Sequence, residues 1–214
     1  MATQRVYLDH NAGAPLIAEA RTAMLAALDA GGNASSVHRE GRNARRLVEE
    51  ARREVAALCG AQAAHVVFTS GATEAANTLL TPRWTMGRSP LAMGALLVCA
   101  ADHPATLSGG RFEAADVRFF GVDANGVARL DELASLLASH DRARGLPLVA
   151  VHAANNETGV VQPIAEIGRL VHAAGGVLIV DAAQATGRVP LDISDGSADF
   201  LILSAHQIGG PQGA

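Results

Sequence analysis

The sequence predicts an α/β fold built on a mainly parallel sheet with helices on both faces. Short apolar runs such as 177–180 and 200–203 are typical of strands that are buried on both sides. These runs alternate along the chain with segments whose apolar residues recur every three or four positions, as in helices. Hydrophobic residues make up 49% of the 214 positions, which is enough to bury a core of domain size.

The first 60 residues predict a lead-in and two helices. Residues 1–14 are expected to be extended, and Pro15 suits the first turn of a helix that ends at Gly31 and Gly32. A polar loop, 33–38, comes next. It is followed by a second helix, which has one apolar face and ends at Gly60. We therefore predict a lead-in, 1–14, and one large domain, 15–214.

Strands and helices alternate in the rest of the chain. Strands are predicted at 65–69, 95–100, 117–120, 147–153, 176–181 and 199–204, and helices at 72–80, 104–108, 130–139 and 163–174. The last residues, 209–214, have the composition of a loop that leads into further elements. The sequence therefore has the character of a fragment.

Composition argues against several functional classes. A net charge of −4 and a pI near 6.0 give no reason to expect binding to nucleic acid or to an anionic membrane. No apolar run has the length of a membrane span, and the start lacks the apolar region of a signal peptide, so a cytoplasmic location is expected. Cys59 and Cys99 fit small buried hydrophobes better than a disulfide or a metal pair, and no metal is predicted.

Polar residues follow the predicted strands where each strand ends. Because the carboxyl ends of parallel strands lie along one edge of a sheet, these side chains should converge. The glycine turn before Thr73 suits a phosphate at a helix N-terminus, although such residues are more often simple caps. A phosphate cup, a ring that can stack and a carboxylate together predict a pyridoxal phosphate site. Its candidate residues are Thr73, His103, Asn156, Asp181, Gln184, Ser204 and His206.

Several motifs resemble those of a known family. The chain is similar to the N-terminal part of a cysteine desulfurase, in the class V aminotransferase group of pyridoxal-phosphate enzymes, whose large domain has fold type I. The matching stretches run in family order through nearly the whole chain: 7–12, 33–38, 41–42, 68–74, 155–164, 180–184 and 204–206. The resemblance implies that residues 15–214 are an incomplete pyridoxal-phosphate-binding large domain without the C-terminal small domain.

The resemblance also implies roles for the candidate residues. Ala72 and Thr73 would meet the cofactor phosphate, and His103 would stack on its ring. Asp181 would pair with the pyridine nitrogen, and Gln184 would bond the ring hydroxyl oxygen.

Three further residues complete the implied site, and a fourth departs from the family. Asn156 would line the ring edge, while Ser204 and His206 would complete the phosphate side and the approach to the imine. The family has a lysine directly after this histidine, which forms the Schiff base, but Gln207 stands there. A carboxamide nitrogen cannot form that bond, and all 17 basic residues of the chain are arginine.

The family's catalytic cysteine also has no counterpart here. It belongs to a later segment, together with the arginine that binds the substrate carboxylate, and neither Cys59 nor Cys99 matches it. Without the lysine and this cysteine, the chain as given is not expected to be active.

The parent reaction implied by the resemblance converts L-cysteine to L-alanine. The sulfur passes to an enzyme cysteine as a persulfide and then to an acceptor or scaffold protein, for iron–sulfur cluster assembly or other sulfur delivery, and such enzymes are homodimers. Two alternatives stay open. One is an inactive cofactor-binding or dimer-scaffold protein, and the other is a different class V enzyme, such as a selenocysteine lyase or an aminotransferase.

Overall fold

A computed structural model describes residues 6–213, which form a sheet covered by helices. Five strands are parallel in the order β3-β2-β4-β5-β6, and β1 pairs with the start of β2 as an antiparallel hairpin. The strands are β1 Arg83–Met86, β2 Ser89–Cys99, β3 Val117–Phe120, β4 Leu146–His152, β5 Val177–Asp181 and β6 Phe200–Ile202. The helices are α1 Ala18–Ala30, α2 Arg39–Leu58, α3 Ala72–Leu79, α4 Pro104–Leu107, α5 Leu130–Ala138 and α6 Ile164–Ala173.

The sheet has one hydrophobic core on each face. Successive residues of the central strands point to opposite sides, so Leu97 and Val149 join one cluster while Leu96 and Leu148 join the other. Helices α5 and α6 pack on the first face, and α3 and α4 pack on the second. The predicted α/β class, with a mostly parallel sheet and helices on both faces, is confirmed.

The start of the chain differs in detail from the prediction. Residues 6–17 contain only a turn at 10–12, and α1 begins at Ala18 rather than at Pro15. Ile17 instead donates its main-chain N–H to Gly209, which ties the lead-in to the far end of the chain. Residues 1–5 of the predicted lead-in lie outside the described residues, and the division at residue 14 stays a prediction.

The predicted strand at 65–69 is wrong. Residues 63–65 form a short 3-10 helix, and 66–69 make no strand pairing, although Val66 has extended backbone angles. Arg52 donates to the carbonyl of Val66, and a cleft of about 800 Å³ separates this segment from β6. The composition favours a strand here, but within residues 6–213 no strand lies beside the segment to form a ladder with it.

The sequence also failed to predict the hairpin of β1 with β2. Pro90 and Gly87 disfavoured a strand in this region, yet Pro90 pairs with Thr85 near the hairpin turn, where proline is tolerated. In the described part of the chain, no helix is both long enough and apolar enough to cross a membrane.

Candidate active site

The carboxyl ends of three neighbouring strands lie side by side. His152 at the end of β4 is in register with Asp181 at the end of β5, and Asp181 is in register with Ile202 of β6. The loops after these strands carry Asn156, Gln184, Ser204 and His206, and the loop after β2 carries His103. The structure therefore brings these residues to one edge of the sheet, whereas Thr73 lies in the first turn of α3 and follows no strand among the described residues.

The N-terminus of α3 is open toward this region. Gly71 precedes the helix with φ of 147°, no side chain caps it, and a Cβ there would meet no atom within 4 Å. The first-turn N–H groups of Ala72 and Thr73 have no partner among the described residues. Ala72 of α3 and Ala105 of α4 pack against the same core cluster, and the two helices contact each other. Such an uncapped helix end suits a phosphate group.

Glu74 lies in the same helical turn, and its carboxylate is bound by Ser70 rather than by the N–H groups of residues 72 and 73. Its carboxylate accepts hydrogen bonds of 2.6 Å from both the main-chain N–H and the hydroxyl of Ser70. These hydrogen bonds lower the pKa of Glu74. The carboxylate is thus held by Ser70 and leaves the N–H groups of residues 72 and 73 to a ligand.

His103 is exposed, and its ring is held from one side. It precedes Pro104 at the start of α4, and its Nδ1 accepts a hydrogen bond of 3.1 Å from the main-chain N–H of Ala105. The bond fixes the ring plane and leaves its face free. An exposed imidazole of this kind can stack on a flat ligand.

Asp181 is half-buried at the end of β5 and has one oxygen available. Its Oδ1 accepts a hydrogen bond of 3.0 Å from Ala183, and Oδ2 has no partner among the described residues. Burial raises the pKa of Asp181, the nearby carboxyl of Asp102 raises it further, and His103 lowers it. A protonated ring nitrogen beside Oδ2 would stabilise the carboxylate form.

The lead-in crosses the site and holds two predicted residues. The Asn11 side chain donates to the main-chain oxygen of Asn156 at 3.0 Å, and the Gln184 amide donates to the main-chain oxygen of Asn11 at 2.9 Å. Arg188 donates to the Gln184 side-chain oxygen at 2.9 Å and so fixes the amide orientation. Neither Asn11 nor Arg188 was predicted as a site residue, although Asn11 lies in one of the family-like motifs.

The Ser204 hydroxyl and His206 Nδ1 are hydrogen-bonded to each other at 2.9 Å. Ser204 is buried, and its hydroxyl is hydrogen-bonded to the His206 imidazole in the absence of a phosphate. Gln207 is also buried, and its Oε1 has no hydrogen-bond partner among the described residues. An unsatisfied buried oxygen is costly and marks this position as poorly matched to its surroundings.

A buried polar network behind the site was not predicted. Asp102 Oδ1 lies 2.5 Å from His152 Nδ1, and the far side of the imidazole meets Gln162 at 3.0 Å. Cys99 brings a third donor atom within 4.8 Å, and this is the one such group among residues 6–213. An ion bound to both atoms at about 2.0–2.2 Å would not fit a 2.5 Å nitrogen–oxygen contact, so the group is a hydrogen-bonded network.

The residues at this edge fit pyridoxal phosphate. The uncapped start of α3 offers N–H donors to a phosphate, His103 offers a ring face, and the free oxygen of Asp181 offers an acceptor for the pyridine nitrogen.

Comparisons with known proteins agree with the motifs. The family described as Aminotransferase class-V matches residues 6–214. The cysteine desulfurase IscS of Anaeromyxobacter sp. is 38% identical over 97% of this chain and 51% of its own length. The X-ray structure of a NifS-like protein from Rickettsia africae superposes with a TM-score of 0.87 at 30% identity, over 98% of this chain and 56% of its own.

A third similar protein has its ligand named. The structure described as SspA in complex with cysteine has a TM-score of 0.81 at 27% identity, over 98% of this chain and 59% of its own. The chain spans about half the length of the relatives it matches. The resemblance to cysteine desulfurases and the fold class are thereby confirmed.

Proposed function

Because the chain belongs to the class V aminotransferase family, we propose that it is a pyridoxal-phosphate-binding lobe of the cysteine desulfurase type. One observation carries this proposal. An uncapped helix start, an exposed imidazole with a fixed ring plane and a carboxylate with a free oxygen lie at one edge of the sheet. This set matches the three parts of one cofactor, its phosphate, its ring face and its ring nitrogen.

Each residue has a distinct role in the proposed site. Ala72 and Thr73 bind the phosphate through their N–H groups, and His103 orients the ring by stacking. Asp181 holds the proton on the pyridine nitrogen, and Gln184, whose amide is fixed by Arg188, donates to the ring hydroxyl oxygen. When bound, the cofactor supplies a ring that accepts electrons from a substrate carbanion.

Asn156, Ser204 and His206 complete the proposed site. Asn156 borders the ring edge on a loop that Asn11 ties to the lead-in. His206 lies on the phosphate side with the Ser204 hydroxyl, and a phosphate there would share that hydroxyl with the imidazole.

Binding in this chain would be non-covalent. Gln207 has no nucleophilic amine, and the chain contains no lysine. Cys59 and Cys99 are both buried, and burial raises the pKa of each thiol, to about 12 for Cys99. Since sulfur transfer needs an accessible thiolate, neither cysteine suits the role of sulfur acceptor.

For a whole protein of this type we propose L-cysteine as the substrate. Products would be L-alanine and a persulfide on an enzyme cysteine, from which sulfur passes to an acceptor or scaffold protein. The cysteine bound in the similar SspA structure supports this substrate class. A cytoplasmic location is part of the same proposal.

A homodimer is proposed as the assembly. Helix α1 buries none of its residues in the chain and exposes Met24, Leu25 and Leu28. Such an apolar helix face suits a contact with a second copy. Sedimentation or light scattering should show a dimer that is weakened when Leu25 and Leu28 are replaced by serine, whereas an unaltered dimer would place the contact elsewhere.

Equilibrium dialysis with pyridoxal phosphate tests the cofactor site directly. The wild-type chain should bind it, and Asp181→Asn should weaken binding about tenfold, because a charge-assisted hydrogen bond is lost. Asp131→Asn, at an exposed position in the first turn of α5, is the matched control and should not change the affinity.

Borohydride reduction tests the missing lysine. The wild-type chain should give no covalent adduct, whereas Gln207→Lys should give one reducible adduct at residue 207. A chain that binds no pyridoxal phosphate, with either Gln207 or lysine at this position, would refute the proposed function.

A non-catalytic scaffold is the second candidate, and Gln207 favours it. Under this alternative the chain binds the cofactor only to stabilise the fold or a dimer. Bound pyridoxal phosphate without a covalent adduct in Gln207→Lys would support the scaffold over the enzyme lobe.

A further inference from the structure

Three buried side chains behind the proposed cofactor site form a continuous hydrogen-bonded chain. Asp102 follows β2, His152 ends β4, and Gln162 lies just before α6; all three are at most 6% exposed. Asp102 is the residue before His103, and His152 is in register with Asp181. The main chain after His152 is also bonded to Asp181, from the N–H of Ala153 to the Asp181 carbonyl at 2.8 Å.

The orientation of the Gln162 amide is fixed by main-chain groups. Its oxygen accepts the N–H of Ala128 at 2.8 Å, and its nitrogen donates to the carbonyl of Gly126 at 2.9 Å. Flipping the amide would place two donors together at Ala128 and two acceptors together at Gly126. The atom that Gln162 presents to His152 is therefore the amide nitrogen, a donor.

This orientation determines the protonation of His152. Its Nε2 lies 3.0 Å from the Gln162 amide nitrogen and must accept a hydrogen bond. The ring proton is therefore on Nδ1, which donates to Asp102 Oδ1 at 2.5 Å. A second proton on the imidazole would face the amide N–H, so the contact opposes the charged form.

The carboxyl of Asp102 is held from several sides. The main-chain N–H of His152 donates to Oδ1 at 3.0 Å, and the hydroxyl of Thr106 lies 3.2 Å from Oδ2. Two more titratable groups face this pair, the thiol of Cys99 from β2 and the carboxyl of Asp181 from β5. Burial raises the pKa of Cys99 to about 12, so this thiol adds no charge near neutral pH.

We propose that Asp102, His152 and Gln162 are a positioning network for the cofactor site, in which Gln162 keeps His152 neutral with its proton on Nδ1. Through this tautomer His152 fixes Asp102, and with it the start of the loop that carries His103. The inference rests on the proposed function for its role toward pyridoxal phosphate, but the state of His152 does not depend on it.

The neutral state matters because of the position of His152 beside Asp181. An imidazolium here would place a positive charge next to the carboxylate that is proposed to hold the protonated ring nitrogen. The two positive groups would compete for the same carboxylate and weaken the hold on the ring. A His152 that stays neutral holds Asp102 in place and leaves the charge around Asp181 unchanged as the pH changes.

Nitrogen NMR of ¹⁵N-histidine-labelled chain tests the locked state without cofactor. Between about pH 6 and 8.5, His152 should keep a protonated Nδ1 and an unprotonated Nε2. Replacing the exposed histidines singly by glutamine assigns the signals. A titrating His152, or a proton on its Nε2, would overturn the proposal.

Gln162→Glu tests the role toward the cofactor. A carboxylate facing Nε2 should convert His152 to the imidazolium in the NMR spectrum and weaken pyridoxal phosphate binding about three- to tenfold. Gln62→Glu, at an exposed position with no side-chain cap bond, is the matched control and should change neither. A charged His152 with unchanged affinity would overturn the role toward the cofactor.

A measurement on the wild-type chain covers the case in which Gln162→Glu does not fold. Addition of pyridoxal phosphate should shift the His103 signals and leave His152 neutral with its proton on Nδ1. Conversion of His152 to the imidazolium on binding would overturn the proposal. Absence of any binding would refute the proposed function, while the tautomer of His152 would still be decided by the titration.

Discussion

Asp102 should tolerate asparagine and not alanine. In Asp102→Ala, three donors lose their acceptor at once: the main-chain N–H of His152, its Nδ1–H and the Thr106 hydroxyl. Two of them are buried with no alternative partner, whereas Thr106 can still donate to the carbonyl of His103 at 2.9 Å. At about 1–3 kcal/mol for each unsatisfied group, the free energy of unfolding should fall by about 3–5 kcal/mol.

Asp102→Asn keeps the same geometry. Its amide oxygen can accept both hydrogen bonds from His152, and its amide nitrogen can donate to the Thr106 hydroxyl, which then donates to His103. Burial raises the pKa of Asp102, so the loss of the negative charge in asparagine costs less at this buried position than it would at an exposed carboxylate. We expect a loss of about 1 kcal/mol or less.

Urea unfolding measures both variants. The only tryptophan, Trp84, packs edge-on against Phe200 at a ring-centroid distance of 5.1 Å, so its fluorescence can report the transition together with circular dichroism. Asp29→Ala on the exposed side of α1 serves as the control. Equal losses for Asp102→Asn and Asp102→Ala would refute the reasoning, because they would show that the charge rather than the hydrogen-bond geometry stabilises the network.

Three further predictions concern the site and the cysteines. Burial raises the pKa of Asp181, so the wild-type chain loses stability as the pH rises through that pKa. In thermal unfolding without cofactor, Asp181→Asn should therefore be more stable than the wild-type chain at pH 8. The difference in stability between the two chains should vanish below about pH 4. A difference independent of pH would contradict this assignment. Gln207→Leu removes a buried oxygen without a partner and should raise the free energy of unfolding in urea by about 1 kcal/mol, whereas a loss would mean that the oxygen has a partner. Cys59 and Cys99 should not react with a thiol reagent in the folded chain, and both should react in denaturant; fast labelling of the native chain would contradict their burial.

The sequence predicted most of the parallel sheet because its buried strands are continuous apolar runs. β4 and β5 could be placed almost to the residue, since each run ends in a polar residue and is followed by a helix or a turn. The failure at 65–69 has a physical cause. Its composition fits a strand, but a strand also needs a neighbouring strand to which it can hydrogen-bond. The residues of the segment do not show whether such a neighbour exists.

Some residues of the candidate site could be predicted from the sequence, and others could not. Residues at strand ends, such as His103 and Asp181, could be predicted to converge, because parallel strands place their carboxyl ends along one edge. Asn11 could not be assigned, since its contact with Gln184 joins residues 173 positions apart. Arg188 lies four residues after Gln184, but the sequence does not show that its guanidinium reaches the amide oxygen. The missing lysine was evident from the sequence alone, but the orphaned oxygen of Gln207 was not.

By itself, the sequence determined the α/β class, the family-like motifs and the lack of lysine among these 214 residues. Only the tertiary structure decided which strands pair, how the lead-in crosses the site, and that His152 lies between Asp102 and Gln162. Periodicity and motif order are local properties of the chain. Hydrogen bonds between residues 50 positions apart, like that of His152 with Asp102, depend on the folded arrangement of β2 and β4.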